Sequence, residues 1–156
     1  MKLSDIVVAD AIIANLQTKT RDEAVRELVA ALAAAGATAK KNVDEITKAV
    51  LAREAVYTTA IGKGVALPHV KLKSIRKPVA TIGRSVEGID FASLDAKPVY
   101  SIILMLSSTD NPDEHIQAME ALFKHVQRDN FRKFLRQSQT QEAIVDLIHE
   151  SDELLG

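Results

Sequence analysis

The sequence predicts an α/β fold, a layered sandwich in which helices flank a mixed sheet. Segments whose apolar residues recur at helical spacing alternate along the chain with short runs rich in Val and Ile. Residues 99–107 have the apolar, β-branched composition of a central strand that is buried on both faces. Because strands and helices are interspersed throughout the chain, a layered α/β arrangement is expected.

In the first third of the chain, the pattern predicts one strand and two helices. Residues 12–16 alternate weakly, as in a strand. Thr20 stands where a helix N-cap is expected, Glu23 completes a capping box, and Gly36 provides a stop. A second helix is expected over residues 42–54, capped by its first residue, an asparagine.

The middle of the chain predicts strands joined by glycine- and proline-containing loops. A glycine-rich loop leads into a short strand over residues 65–67, which stops at Pro68 and His69. A second strand is expected at 79–84, followed by a turn at 87–90.

The last third predicts three helices. Asn111 caps the first, with Pro112 at its first position and Glu114 three residues after the cap. A short helix is expected at about 130–136, and Thr140 caps the last one.

Composition limits the possible functions. A single domain spanning residues 1–156 is expected from a length within the typical range of about 100–200 residues. The net charge of −1 argues against binding to nucleic acid or membranes through bulk charge, and the lack of cysteine excludes disulfides and thiolate chemistry. With no signal peptide and no apolar run near the about 20 residues that a spanning helix needs, we expect a cytoplasmic protein without direct membrane insertion.

The segment from Arg53 to Val70 concentrates residues suited to carrying a phosphoryl group. His69 offers an imidazole, whose ordinary pKa of about 6.5 leaves it largely neutral and nucleophilic at neutral pH. Arg53 ends a predicted helix and provides a fork of donors for phosphoryl oxygens. Thr58, Thr59 and the amides of the glycine loop are further candidate donors, since phosphoryl transfer depends on positioning and electrostatics.

His115 is a second candidate, because it lies in the first turn of a helix that follows the central strand, where an anion is favoured. Structural explanations stay open for each candidate. Arg53 could simply end its helix, and the threonines could turn the loop. A histidine could lie at the surface, as we expect of His125, or near a helix C-terminus where a cation is mildly favourable, as we expect of His149. A metal site at His69 and His115 lacks the helical His-x-x-x-His spacing that would support it.

These residues resemble the active-site signature of the fructose/mannitol-type enzyme IIA proteins of the bacterial phosphoenolpyruvate-dependent sugar phosphotransferase system. Nitrogen-regulatory enzyme IIA proteins share this signature. The matching positions are Arg53-Glu54, Thr58-Thr59, Ile61-Gly62 and Gly64-Val65-Ala66-Leu67-Pro68-His69. The likeness extends over most of the chain, at Gly88-Ile89-Asp90-Phe91, Asp95, Pro98-Val99, Glu114-His115 and Asn130-Phe131-Arg132.

The resemblance implies a phosphotransferase that works through a phosphohistidine. His69 would accept the phosphoryl group from the histidine-carrier protein HPr and pass it to an enzyme IIB component. His115 would assist by hydrogen bonding, and Arg53 would contact the phosphoryl group. The resemblance also implies a mixed, five-stranded sheet and no metal or organic cofactor.

Two functions are compatible with this resemblance. One is a phosphocarrier in sugar uptake. The alternative is a free-standing regulatory protein of the nitrogen type, in which phosphorylation of His69 controls binding to partner proteins. A third reading, a binding domain that no longer transfers phosphate, is disfavoured because Arg53, His69 and His115 are all present.

The chain departs from the family pattern at four positions beside the motif. The family often has glycine at the positions of Tyr57 and Ala60, asparagine at that of Lys63 and a small residue at that of Val70. These differences bear on the choice of partner. Ala60 would be strained if its position required a positive φ, which glycine tolerates better.

Overall fold

The computed structural model describes residues 1–155. The helices are α1 (Leu3–Ile6), α2 (Arg21–Ala34), α3 (Val43–Val56), α4 (Pro112–Val126), α5 (Asp129–Gln137) and α6 (Gln141–Leu155). The strands are β1 (Val65–Ala66), β2 (His69–Leu72), β3 (Val79–Ile89) and β4 (Val99–Ser108). Single turns of 3₁₀ helix occupy Ala9–Ala11 and Lys40–Asn42.

The central strand of the sheet is β4. It pairs in parallel with β1 and β2 on one side and antiparallel with β3 on the other. Strands β1 and β2 lie in line with an unbroken register, and they are separated only by Leu67 and Pro68. Proline has no N–H to donate to a ladder, but the Pro68 carbonyl still accepts a hydrogen bond from the Met105 N–H at 3.0 Å. The predicted strand therefore does not stop at Pro68 and His69 but resumes there as β2.

The sheet formed by residues 1–155 has four strands, so the expected count of five is wrong by one. The segment predicted as a strand at 12–16 is not one of them. It runs parallel to β3 but forms only one isolated bridge, Ile13 with Gly83, and a second bridge joins Val7, earlier in the chain, to Ala80. The 3₁₀ turn between these two bridges keeps hydrogen bonds within itself, so the pairing does not become continuous. The predicted layered α/β class and the mixed sheet are confirmed.

Side chains of β4 alternate between two cores. Ile102, Leu104 and Leu106 pack with residues of α2 and α3, whereas Ile103 and Met105 pack with residues of α4, α5 and α6. All five are fully buried, and burial of each such side chain stabilises the fold by about 1.5–3 kcal/mol. Helices on both faces explain why the strand reads as a continuous apolar run.

Most predicted helix ends are confirmed. The side chains of Thr20, Asn111 and Thr140 each accept a hydrogen bond from the backbone N–H three residues later, at 3.3, 3.2 and 3.0 Å. Gly36 follows the last turn of α2 with a φ of +82°. Asn42 precedes α3 as expected, but its side chain makes no capping hydrogen bond.

The strand predicted at 79–84 is longer in the structure, and the turn predicted at 87–90 is wrong. Strand β3 continues to Ile89, which pairs with Val99. Its register with β4 shifts between Arg84 and Ile89, and Gly88 there has a φ of +88°. The glycine therefore belongs to an irregular stretch of the strand rather than to a turn.

The loop before β1 contains three consecutive residues with positive φ: Gly62 at +126°, Lys63 at +60° and Gly64 at +76°. A carboxylate oxygen of Asp95 accepts the Lys63 N–H at 3.1 Å and would lie 3.1 Å from a Cβ at position 62. Glycine is therefore required at position 62, and Lys63 adopts a left-handed conformation without the freedom of glycine. Ala60 does not adopt a positive φ, so its methyl group introduces no such strain.

His125 is buried, contrary to the expected surface position. Its Nδ1 is hydrogen-bonded to the hydroxyl of Ser151, and its Nε2 lies 3.4 Å from a carboxylate oxygen of Asp152. The same carboxylate accepts the backbone N–H groups of Leu3 at 2.8 Å and Ser4 at 3.0 Å. This cluster joins the start of the chain, α4 and α6. Sequence spacing gave no sign of it, since its members are far apart along the chain.

Burial lowers the pKa of His125, and the attraction of Asp152 opposes that effect only in part. A histidine whose pKa is lower in the folded than in the unfolded protein binds protons more readily after unfolding. Its contribution to stability is therefore complete above the ordinary pKa of about 6.5 and is lost as the pH falls below it. Burial also lowers the pKa values of His69 and His115, so they act in the same direction.

We predict that Asp152→Asn lowers the free energy of unfolding by about 1–3 kcal/mol at neutral pH, because it weakens the buried hydrogen bonds. It should also steepen the loss of stability on acidification, because the carboxylate raises the pKa of His125. Urea unfolding at about pH 7.5 and about pH 5.5, on either side of the ordinary histidine pKa, measures both effects. Asp146→Asn, at an exposed position of the same helix, is the control. Equal pH dependence in both variants would contradict the coupling.

We also predict that Lys63→Asn stabilises the protein by about 0.5–1 kcal/mol, because asparagine tolerates the left-handed region better than lysine. Lys97→Asn makes the same chemical change at a nearby exposed residue whose φ is not positive. The midpoints of urea unfolding compare the two variants. A gain no larger for Lys63→Asn than for Lys97→Asn would show that backbone strain is not the cause.

Candidate functional site

His69 is the first residue of β2 and is half-buried. Its Nδ1 lies 2.7 Å from the carbonyl oxygen of Leu67. A carbonyl can only accept, so Nδ1 carries the proton and donates it. The neutral ring therefore keeps the lone pair of Nε2 free, which makes Nε2 the nucleophilic atom.

The surroundings of His69 favour the neutral imidazole. Burial lowers its pKa most strongly, and the hydrogen bond to Leu67 opposes this effect. The positive charges of Arg53 and Lys71 lower the pKa further, whereas the negative charge of Glu54 raises it. Because the net shift is downward from about 6.5, His69 is predominantly unprotonated at neutral pH.

His115 lies beside His69. The ring centroids are 5.7 Å apart, and the ring planes are tilted by 42°. Burial lowers the pKa of His115 most strongly. The positive charges of protonated His69 and of Lys71 lower it further. Its Nδ1 is hydrogen-bonded to the hydroxyl of Ser107, near the end of β4. This bond orients the ring and leaves Nε2 available.

Arg53 lies in the last turn of α3, where its Nη1 donates a hydrogen bond to the Tyr57 carbonyl at 3.0 Å. A guanidinium has five N–H donors, so this bond leaves others for an anion. The charge of Arg53 is close enough to His69 to affect its pKa. The structure thus brings Arg53, His69 and His115 into one region.

Thr58 and Thr59 are engaged by a buried carboxylate. One oxygen of Glu54 accepts the Thr58 hydroxyl at 2.8 Å and the Thr59 N–H at 2.7 Å, and the other accepts the Thr59 hydroxyl at 2.7 Å. Both hydroxyl protons are thus directed at Glu54. The contact of Thr58 and Thr59 with a phosphoryl group remains a prediction that this geometry does not test.

Sequence reasoning did not assign a role to Glu54 or Ser107. Glu54 is only 2% exposed and makes no ion pair within residues 1–155. Its position directly after Arg53, four and five residues before the two threonines, was the available signal. Nothing in the sequence marked Ser107, because its bond to His115 depends on how α4 packs against β4.

Several apolar side chains on the segments that carry the site are exposed. A cavity of about 200 Å³ is lined by Leu67, whose carbonyl holds His69, together with Ile61 and Phe123. Ile61 and Phe123 remain 55% and 37% exposed, and Tyr57 and Ile116 are exposed as well. Exposed apolar groups of this kind suit a surface that contacts another protein.

Two further properties of residues 1–155 bear on function. None of the helices there is both long and apolar enough to cross a membrane. The same residues contain no group of three His, Cys, Asp or Glu side chains placed to hold a metal ion.

Comparison with curated proteins finds relatives of two kinds. The chain is 31% identical over 153 residues to the PTS system fructose-specific EIIABC component of Bacillus subtilis, covering 97% of this chain but only 24% of that protein. The chain thus spans about a quarter of the length of this relative. It is also 31% identical over 148 residues to the nitrogen regulatory protein of Bradyrhizobium diazoefficiens, covering 95% of each.

Solved structures share the fold. The nitrogen regulatory protein IIA-Ntr from Neisseria meningitidis aligns with a TM-score of 0.82 and 20% identity, covering 94% of this chain and 98% of that one. Enzyme IIA-mannitol from Escherichia coli, solved in complex with phosphorylated enzyme IIB-mannitol, aligns with a TM-score of 0.73 and 20% identity, covering 92% and 96%.

The family model described as "Phosphoenolpyruvate-dependent sugar phosphotransferase system, EIIA 2" matches residues 5–151, which is nearly the whole described chain. The fold and the curated relatives agree with this match. The chain therefore belongs to the EIIA type 2 family of the phosphoenolpyruvate-dependent sugar phosphotransferase system.

Proposed function

We propose that this chain is a phosphocarrier in sugar uptake, which accepts a phosphoryl group on His69 and passes it to an enzyme IIB component. The observation that carries the proposal is the hydrogen bond from Nδ1 of His69 to the Leu67 carbonyl, which leaves Nε2 unprotonated. The donor would be an HPr-type phosphocarrier. Residues 1–156 would act as a single EIIA domain, and the family match supports this assignment.

Transfer requires no proton movement at His69. The lone pair of Nε2 forms a bond to the phosphorus of the donor's phosphohistidine, and the breaking P–N bond returns its electron pair to the donor imidazole. The proton on Nδ1 stays in its hydrogen bond throughout. Onward transfer repeats the displacement, with the acceptor side chain of enzyme IIB as nucleophile.

The neighbouring groups would stabilise the phosphoryl oxygens, where negative charge accumulates in the transition state. Arg53 offers the guanidinium donors that its bond to Tyr57 leaves free. When the Ser107 hydroxyl donates to Nδ1 of His115, Nε2 of His115 bears the proton and can donate to a phosphoryl oxygen. The exposed apolar residues Tyr57, Ile61, Ile116 and Phe123 would form the docking surface.

A regulatory role is the second candidate. The curated nitrogen regulatory relative is 31% identical to this chain, the same identity as that of the fructose-specific relative. Phosphorylation adds a charge of about −1.5 to −2 at neutral pH, enough to change which partner binds the docking surface. Phosphate transfer to a sugar-specific enzyme IIB supports sugar uptake, whereas phosphorylation-dependent binding to another protein supports regulation.

We predict that wild-type protein gains one acid-labile phosphoryl group when incubated with phosphoenolpyruvate, enzyme I and HPr, and that His69→Ala gains none. Intact-mass spectrometry measures the added group. His149→Ala removes an exposed histidine on α6 and should behave like wild type. A fully phosphorylated His69→Ala would place the nucleophile elsewhere. An unmodified wild type, beside a functioning enzyme IIA in the same mixture, would indicate a binding domain without transfer.

We predict that Glu54→Gln slows phosphorylation by roughly ten- to a hundredfold, because small displacements of positioned groups carry penalties of this size. The glutamine side chain has an NH₂ group in place of one carboxylate oxygen, and this group cannot accept a hydrogen bond from Thr58 or Thr59. The variant should also lower the pKa of His69, because the negative charge of Glu54 raises it. Histidine NMR titration measures the pKa, and stopped reactions with phospho-HPr measure the rate.

Glu45→Gln makes the same change at an exposed position of α3 and serves as the control. A Glu54→Gln protein with slow transfer but an unchanged His69 pKa would mean that Glu54 acts only through the fold. An unchanged rate would remove Glu54 from the site.

A further inference from the structure

A second cavity, of about 340 Å³, lies beside the start of β4, away from the two histidines. Its size falls within the range of about 300–1,000 Å³ that is usual for small-molecule sites. The charged and aromatic residues that line it are Lys63, Asp95, Lys97, Tyr100, Arg132 and Arg136.

The charge of this cavity is strongly positive, although the chain as a whole has a net charge of −1. Four cationic side chains face one carboxylate, that of Asp95. This carboxylate accepts the backbone N–H groups of Lys63 at 3.1 Å and Lys97 at 3.0 Å. These bonds lower the pKa of Asp95, so it stays ionised while serving to fix the loop backbone.

Three of the four cations have no ion-pair partner. Within residues 1–155, Arg132 pairs with Asp129, but Lys63, Lys97 and Arg136 form no salt bridge. Like charges gathered around one cavity repel each other, and a bound anion relieves that repulsion. Lys63 also adopts its left-handed backbone at this cavity, and strain of this kind tends to occur at functional sites.

Arg136 is held in place before any ligand arrives. Its guanidinium carbon lies 3.6 Å from the centroid of the Tyr100 ring, and Arg84 donates a hydrogen bond to its carbonyl at 3.1 Å. The ring itself lies against Gly64 and Gly88, where a Cβ would come within 3.3 and 2.8 Å of neighbouring atoms. At Gly88 a Cβ would also approach the Tyr100 ring to 3.0 Å. Side chains larger than hydrogen at these glycines would displace the ring that supports Arg136.

We propose that this cavity binds a small phosphate-bearing anion, such as a phosphate ester or pyrophosphate. The planar fork of Arg136 suits bidentate contact with phosphate oxygens, and the two lysines supply compact positive charge. Lys63, Val65 and Arg132 line both this cavity and the apolar one next to Leu67. A bound anion would therefore lie beside the surface proposed to contact partner proteins. The binding itself does not depend on the proposed phosphoryl transfer.

The test is titration of the unphosphorylated protein with inorganic pyrophosphate, followed by two-dimensional amide NMR. Saturable shifts are expected at Gly64, Lys97, Tyr100 and Arg136. Arg136→Gln and Lys97→Gln should each weaken binding by about tenfold, the usual effect of losing one charge-assisted hydrogen bond. Lys73→Gln is the matched control, since it removes an exposed lysine that does not line the cavity.

Two parallel titrations identify the ligand class. Sodium chloride at matched ionic strength should give no saturable shifts, and citrate should bind more weakly than pyrophosphate. Equal effects of chloride and pyrophosphate would overturn the proposal, because they would indicate screening alone. Citrate binding at least as tightly as pyrophosphate would replace phosphate with a carboxylate ligand. Equal weakening by Lys73→Gln and Arg136→Gln would also overturn it, as would the absence of binding by folded wild-type protein.

Discussion

The parallel pairing of β2 with β4 positions the whole candidate site. It sets His69 opposite Met105, while Ser107, two residues farther along β4, holds His115 at the start of α4. Both imidazoles are therefore located by the same central strand, whose side chains are buried in the cores on either face. The Leu67 carbonyl, in the link between β1 and β2, accepts the proton of Nδ1 of His69 at 2.7 Å. This strand pairing thus places the two histidines beside each other, with ring centroids 5.7 Å apart.

The electrostatic surroundings of His69 combine opposing influences. Burial and nearby cations lower the pKa of the imidazole, and the same cations would stabilise the oxygens of the phosphoryl group that we propose it carries. The buried Glu54 raises the pKa of His69 and so opposes the effect of these cations. Its carboxylate also accepts hydrogen bonds from Thr58 and Thr59. A carboxylate without a cationic partner is costly to bury, and three short hydrogen bonds offset that cost. The groups of the site are therefore positioned to bind negative charge rather than to transfer protons.

Two surfaces with different chemistry meet at the loop that contains Lys63. Towards Leu67 the surface is apolar, and towards Tyr100 it is cationic. This loop is built from residues with positive φ and is held by a single carboxylate, so its backbone is defined even where it is exposed. Events at either surface, such as phosphorylation of His69 or binding of an anion, would act on the same short segment.

The sequence by itself determined the helix caps at Thr20, Asn111 and Thr140, the central strand and the motif that contains His69. These signals are local, because a cap spans four residues and a buried strand reveals itself by composition. Only the tertiary structure decided which groups meet across long distances in the chain. It buried His125 against α6, reduced the edge segment at 12–16 to one isolated bridge, and arranged four cations around one cavity. Such contacts depend on how layers pack, and a single sequence carries no periodic pattern from which that packing can be read.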